Sequence, residues 1–285
     1  MLDSTGKKIE LDDQNVDFEF ALKEINFFTK GFQRENNDVT ALGLAKCVHQ
    51  FLKSNGDAKK VESVISLLED YSANTKNDTF VWNLVYIRRL QGEYFSKNFQ
   101  KKEMAKCRRV SAKHFEKICE IKPTLYNKCC RVLEYVTASI EYTEVNMRIE
   151  RDAVLERAEE LFLEIPPASN EDYYLAGRYL YYNIYLKNKD IYGIPSKALE
   201  SIKNAVDYAF KMYLVNDSTT NLRRLCDFYT VYSETKGYSV NNAEEEERLK
   251  HLIECIASKL GSGHFFKRKF EEFKKLLNNN NQQDN

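Results

Sequence analysis

The side chains best suited to metal or nucleophilic chemistry in this chain are seven cysteines and four histidines, and their spacing builds no centre of either kind. Cys47, Cys107, Cys119, Cys129, Cys130, Cys226 and Cys255 form no CxxC pair, the arrangement that lets two thiolates share one zinc ion. An odd number of scattered cysteines reads as buried, reduced thiols. His49, His114, His251 and His264 lie far apart in sequence, and each reads as a structural side chain. No GxGxxG, GxxxxGKS/T, HExxH or GxSxG motif occurs, and ten glycines in 285 residues leave little loop to cradle a cofactor. The expectation is a binding protein, not an enzyme, with no cofactor and no metal.

The elements that must position any binding residues read as helices throughout. Four prolines, Pro123, Pro166, Pro167 and Pro195, fall where helices begin or connections run, leaving long stretches free of breakers. Between them apolar residues recur at helical spacing: Leu199, Ile202, Val206, Phe210 and Tyr213; Leu249, Leu252, Ile253, Ile256 and Leu260; Phe266, Phe270, Phe273 and Leu277. Pro195 suits a first helical turn, Asn216-Asp217-Ser218 a cap, and Gly261-Ser262-Gly263 a break. Glu244 to Glu247 suits the start of a helix, where the backbone dipole favours negative charge. Helices are expected near 16–33, 38–54, 58–72, 79–95, 97–121, 125–164 (one helix or two), 170–188, 196–215, 218–236, 243–260 and 264–278. Long helices with short links predict an all-α, antiparallel, stacked array. The composition agrees with a globular chain, 43% hydrophobic and 30% charged. Lysine plus arginine equals aspartate plus glutamate, 43 against 43, so no global basic field points to nucleic acid. The N-terminal residues lack an apolar signal region and no run is apolar enough to span a bilayer, so cytosol or nucleus is expected and no membrane contact.

Three segments carry a resemblance. Residues 163–179 read LEIPPASNEDYYLAGRY, similar to an LIPxAS turn followed by a YxxKGDYYRY helix. Residues 227–234 read DFYTVYSE, similar to NFSVFYYE, and residues 102–111 read KEMAKCRRVS, similar to KNVVGARRSS. In this order and spacing they resemble the 14-3-3 family, from its third helix through the turn between its fourth and fifth to its seventh. The resemblance covers residues 97–278. It implies nine antiparallel helices in a tetratricopeptide-like superhelix, with extra N-terminal helices here, usually as a dimer. It also implies an adaptor whose groove takes phosphoserine or phosphothreonine segments of other proteins.

Carried onto this chain, the resemblance places the phosphopeptide site on Lys102, Arg109, Arg178, Tyr181, Tyr182, Asp227 and Glu234, with Phe266 and Phe270 as its apolar wall. Lys102 and Arg109 are seven residues apart, two helical turns, and so project from one face. A guanidinium fork and an ammonium can clamp a phosphate dianion with charge-assisted hydrogen bonds. Two positions depart from the family. Tyr181 stands where the family has a phosphate-binding arginine, with Arg178 three residues earlier. Asp227 stands where it has an asparagine that both donates and accepts. At an effective dielectric near 20, like charges about 6 Å apart repel by roughly 3 kcal/mol, so this phosphate pocket reads as degenerate, with altered or weakened binding.

The domain organisation expected is one helical domain over 1–277, atypical over 16–95 and 14-3-3-like over 97–277, followed by a disordered Asn/Gln tail over 278–285. The family's first two helices make its dimer contact, and residues 58–95 stand in their place, so any homodimer would use an altered interface. The other reading is a tetratricopeptide-like scaffold that binds partners without phosphate. Ser111 to Pro123, with its alanine, aromatic and closing proline, resembles the end of such a repeat, although no 34-residue period accompanies it.

Overall fold

The computed structural model describes residues 18–237 and 243–281, apart from the side chains of Ile191 and of 279–281. Among the described residues there are twelve α-helices and no strand, as the apolar periodicity predicts. The chain divides into two compact units at Pro123.

The first unit holds α1 (Phe18–Glu35), α2 (Asp38–Lys53), α3 (Glu62–Ser72), α4 (Asp78–Lys97) and α5 (Lys101–Ile121). The second holds α6 (Leu125–Glu144), α7 (Arg148–Leu163), α8 (Glu171–Leu186), α9 (Pro195–Val215), α10 (Thr219–Lys236), α11 (Ala243–Ala257) and α12 (His264–Asn281). Residue 96, the division expected between the atypical and the 14-3-3-like stretches of one domain, lies near the end of α4, which packs closely on α5 within one unit. The 125–164 stretch is two helices. Residue 16, where the first helix was expected to begin, and residues 282–285 of the Asn/Gln tail lie outside the described residues. α12 itself runs through Asn281, past the tail start expected at 278.

A local device recurs along the chain. The turns that join α2 to α3, α4 to α5, α6 to α7, α8 to α9 and α10 to α11 each contain one residue in the left-handed region: Asn55, Phe99, Asn146, Gly193 and Gly237. They recur every 44 to 47 residues. The first helix of each pair opens on a side-chain cap, from Asn37, Asn77, Thr124, Asn170 and Ser218. The second helices α3, α5, α7 and α9 have no such cap, and α9 opens on Pro195 instead. A left-handed residue reverses the chain within a few positions, and α4 with α5, α6 with α7 and α8 with α9 pack closely as antiparallel pairs, whereas α2 with α3 and α10 with α11 touch only lightly. Within each unit the first helices also stack on one another, α2 on α4 and α6 on α8.

Apolar faces close each unit. In the second, Ile202, Ala205, Ala209, Leu222, Leu225, Leu249 and Ile256 are fully enclosed, with Tyr229, Tyr232, Phe266 and Phe273 packed around them. In the first, Leu44, Ile65, Leu84 and Phe115 are sealed from water, and Trp82 meets the Phe115 ring edge-on at 4.8 Å.

A charged network fastens α3, α4 and α5 together. Arg88 donates from Nε and Nη2 to Glu69 at 2.6 and 2.5 Å, and from Nη1 to Glu62 at 3.1 Å and Gln91 at 2.5 Å. Gln91 donates to Glu62, and His114 of α5 lies 2.9 Å from Glu69. Burial pushes the Glu69 carboxyl up, but hydrogen bonds from His114 and Arg88 and the Arg88 charge outweigh it, holding the group at about 2. This network holds α5 in place.

Candidate functional site

α5 carries seven lysines and arginines against three glutamates. Lys102, Lys106, Arg109 and Lys113 follow one another at intervals of four, three and four residues, so they form a single stripe, and all four are exposed. Lys106 pairs with Glu103 at 2.8 Å. Lys102, Arg109 and Lys113 face no carboxylate among the described residues within ion-pair distance. The stripe is two residues longer than the pair singled out in the sequence, and its 4-3-4 spacing was the signal for them. At its N-terminal end stands Phe99, 93% exposed and at φ +59°. The equivalent turns elsewhere use asparagine or glycine, which tolerate this conformation.

The other seven predicted residues belong to the second unit. Tyr182 of α8 is half-buried and stacks on Phe228 of α10 at 4.8 Å. Burial raises its hydroxyl first, and the charges of Asp190 and Asp227 raise it further. Asp227 and Glu234 are two turns apart on α10, and Lys189 feels the charges of both Asp190 and Glu234. Tyr182, Asp227 and Glu234 therefore share one neighbourhood, with Asp190 and Lys189 beside them.

Arg178 is placed differently from the expectation that it projects toward a ligand. It is 4% exposed, with its guanidinium 5.3 Å from the Tyr179 ring centre. Its Nε and Nη1 are buried without a hydrogen-bond partner. Burial lowers its affinity for the proton, the Tyr179 hydroxyl opposes that, and Arg224 adds to it. Tyr181 points away from Tyr182, stacking on Tyr208 at 5.7 Å and meeting Phe162 edge-on at 6.1 Å. Phe266, expected on an open wall, is 3% exposed and belongs to the core. Phe270 is only partly buried against that core, with the Lys274 ammonium 4.4 Å from its ring centre.

Helix count departs from the resemblance at one point. With the third and fifth helices of the 14-3-3 family on α5 and α8, one helix would stand between them, and here there are two, α6 and α7.

The cysteines and histidines make no centre. No group of three or more His, Cys, Asp or Glu side chains among the described residues can hold a metal ion. His251 and Cys255, one turn apart on α11, approach to 3.7 Å, against the expectation that each histidine stands apart as a structural side chain, but no third ligand joins them. None of the seven cysteines is in a disulfide; four are buried, while Cys47, Cys130 and Cys255 are half-buried. Burial first, and acidic neighbours after it, push the Cys107 and Cys226 thiols up to about 12 despite Arg88 and Lys269 nearby, so neither forms a thiolate nucleophile. No helix among the described residues is long and apolar enough to cross a membrane. No protein-family model and no curated protein sequence matches the chain.

Proposed function

We propose that the protein is a non-catalytic adaptor of the 14-3-3 type that binds phosphorylated segments of other proteins, with the phosphate seated on α5. The observation that carries this reading is the exposed basic stripe Lys102, Lys106, Arg109 and Lys113. A lysine and an arginine two turns apart on one face have side chains long enough to reach a single phosphate, and each charge-assisted hydrogen bond contributes about 1.5–3 kcal/mol.

The test is a matched pair of peptides, one phosphorylated on serine and one not, titrated against the wild-type protein and against Lys102→Glu and Arg109→Glu. Preference for the phosphorylated peptide, lost by 10-fold or more in either variant, is expected. Equal binding of both peptides points to the second reading, a tetratricopeptide-like scaffold indifferent to phosphate. The regular recurrence of capped helical pairs with left-handed turns favours that second reading.

A further inference from the structure

The second unit contains a polar cleft of about 430 Å3 between α7, α8 and α9. Its volume lies within the range of small-molecule sites. Three carboxylates line it, from Glu156 and Glu159 of α7 and Glu200 of α9. Two lysines also line it, but Lys187 is committed to Glu156 at 3.1 Å. Lys197 makes no ion pair with a described carboxylate, so Glu159 and Glu200 stand opposite a single uncommitted cation.

The neutral groups of the wall point the same way. Asn188 is 7% exposed, lines the cleft, and its side-chain amide hydrogen-bonds to no described residue. The amide atoms are not sealed from water, and the carbonyl can accept an N–H from whatever enters the cleft. It lies in the π-helical segment Lys187–Ile191 that continues α8, and such bulges are frequent at functional sites. Tyr181 lines the cleft from α8, and its hydroxyl, raised first by burial, lies in the field of Glu159 and Glu200. Burial also raises the Glu159 carboxyl; Lys187 and Lys197 oppose that, while Glu156 and Glu200 add to it.

We propose that this cleft binds an organic cation, an ammonium or guanidinium group held between Glu159 and Glu200, with the Asn188 carbonyl and the Tyr181 hydroxyl accepting its remaining N–H donors. A metal ion is the poorer fit, because no group of three ligating side chains is assembled. An anion would face three carboxylates. The cation can come free in solution or as the side chain of a lysine or arginine on a partner protein. The site does not depend on the phosphate reading, since α5 contributes nothing to it.

The experiment is calorimetric titration of the full-length protein at low salt with agmatine, a free guanidinium, and with N-acetyl-arginine amide, which presents the same group as a residue. Binding of at least one probe is expected, weakened 10-fold or more in Glu159→Gln and in Glu200→Gln and unchanged in Lys23→Glu, an exposed position of the first unit. Agmatine alone binding identifies a free cation, and the arginine amide binding identifies a partner side chain. Affinity should rise with pH as the Glu159 carboxyl, raised by burial, ionises; Lys187, Lys197, Glu156 and Glu200 are the charged groups that face it. Should Glu159→Gln fail to fold by circular dichroism, the exposed Glu200 carries the comparison alone. No binding of either probe at millimolar concentration, or affinities indifferent to both substitutions, overturns the proposal.

Discussion

Phe99 is held in a conformation that an asparagine would adopt more cheaply, so Phe99→Asn should make the first unit more stable. The left-handed backbone costs an ordinary L-residue about 1–2 kcal/mol, and asparagine recovers part of that through its short polar side chain. The phenyl ring is 93% exposed and has little burial to lose. The turn's backbone hydrogen bonds, from Phe99 N–H to Ser96 at 3.1 Å and from Gln100 N–H to Phe95 at 2.8 Å, do not depend on the side chain. The gain is therefore about 1 kcal/mol. The chain has a single tryptophan, Trp82, and it packs in this unit, so its fluorescence reports the unit's unfolding in urea without interference from the other. With slopes of about 1–3 kcal/mol per molar urea, the midpoint should rise by roughly 0.3–1 M. Phe99→Ala, which keeps the left-handed penalty, should leave the midpoint nearly unchanged. A midpoint that falls in the asparagine variant, or rises as much in the alanine variant, would refute the reasoning.

Three further outcomes follow from the packing and the charges. Glu69 is held at about 2 in the folded chain, so it stabilises the first unit above the ordinary carboxylate range, and that contribution is lost as pH falls from about 4.5 through 2. Its size is about 3 kcal/mol at neutral pH, so Glu69→Gln should lower the tryptophan-monitored midpoint at pH 7 and flatten its dependence on acid. Gly177 lies under Tyr208, and a Cβ there would come within 2.8 Å of the ring. That ring is wedged among Tyr173, Tyr181 and Phe162, so Gly177→Ala should cost about 1–3 kcal/mol and lower the thermal midpoint seen by near-ultraviolet tyrosine dichroism. Asn170→Ala removes the hydrogen bond that Asn170 Oδ1 accepts from the Asp172 N–H at 2.8 Å and should cost about 1 kcal/mol in the same melt.

The sequence made the helices legible because their ends are chemically marked. Pro195 opens α9 and Ser218 caps α10, both as the residue types require. The repeat was harder to see because its marker is a backbone angle, occupied by Asn, Phe, Asn, Gly and Gly in turn, and Phe does not advertise it. On α8 the orientation of site residues was hidden for a different reason. Tyr173, Tyr174, Tyr179, Tyr181, Tyr182 and Tyr185 surround the helix, so no contrast between polar and apolar faces tells which tyrosine meets α9 and which α10. Adjacent Tyr181 and Tyr182 consequently belong to different surfaces. Charge misleads at Arg178, a guanidinium expected at the site and found buried, and Arg88 is buried as well. The Arg88 partner Glu69 lies 19 residues away, beyond any local pattern. Lys102 and Arg109, by contrast, stand on one exposed helical face, as their seven-residue spacing requires.

The most direct measurement is fluorescence anisotropy of a labelled phosphoserine peptide against its unphosphorylated twin, at low and at physiological salt. The account predicts selective binding of the phosphorylated peptide, weakening with salt and abolished when Lys102 and Arg109 are both changed to glutamate. Identical isotherms for the two peptides, or phosphopeptide binding that survives the double charge reversal, would contradict it.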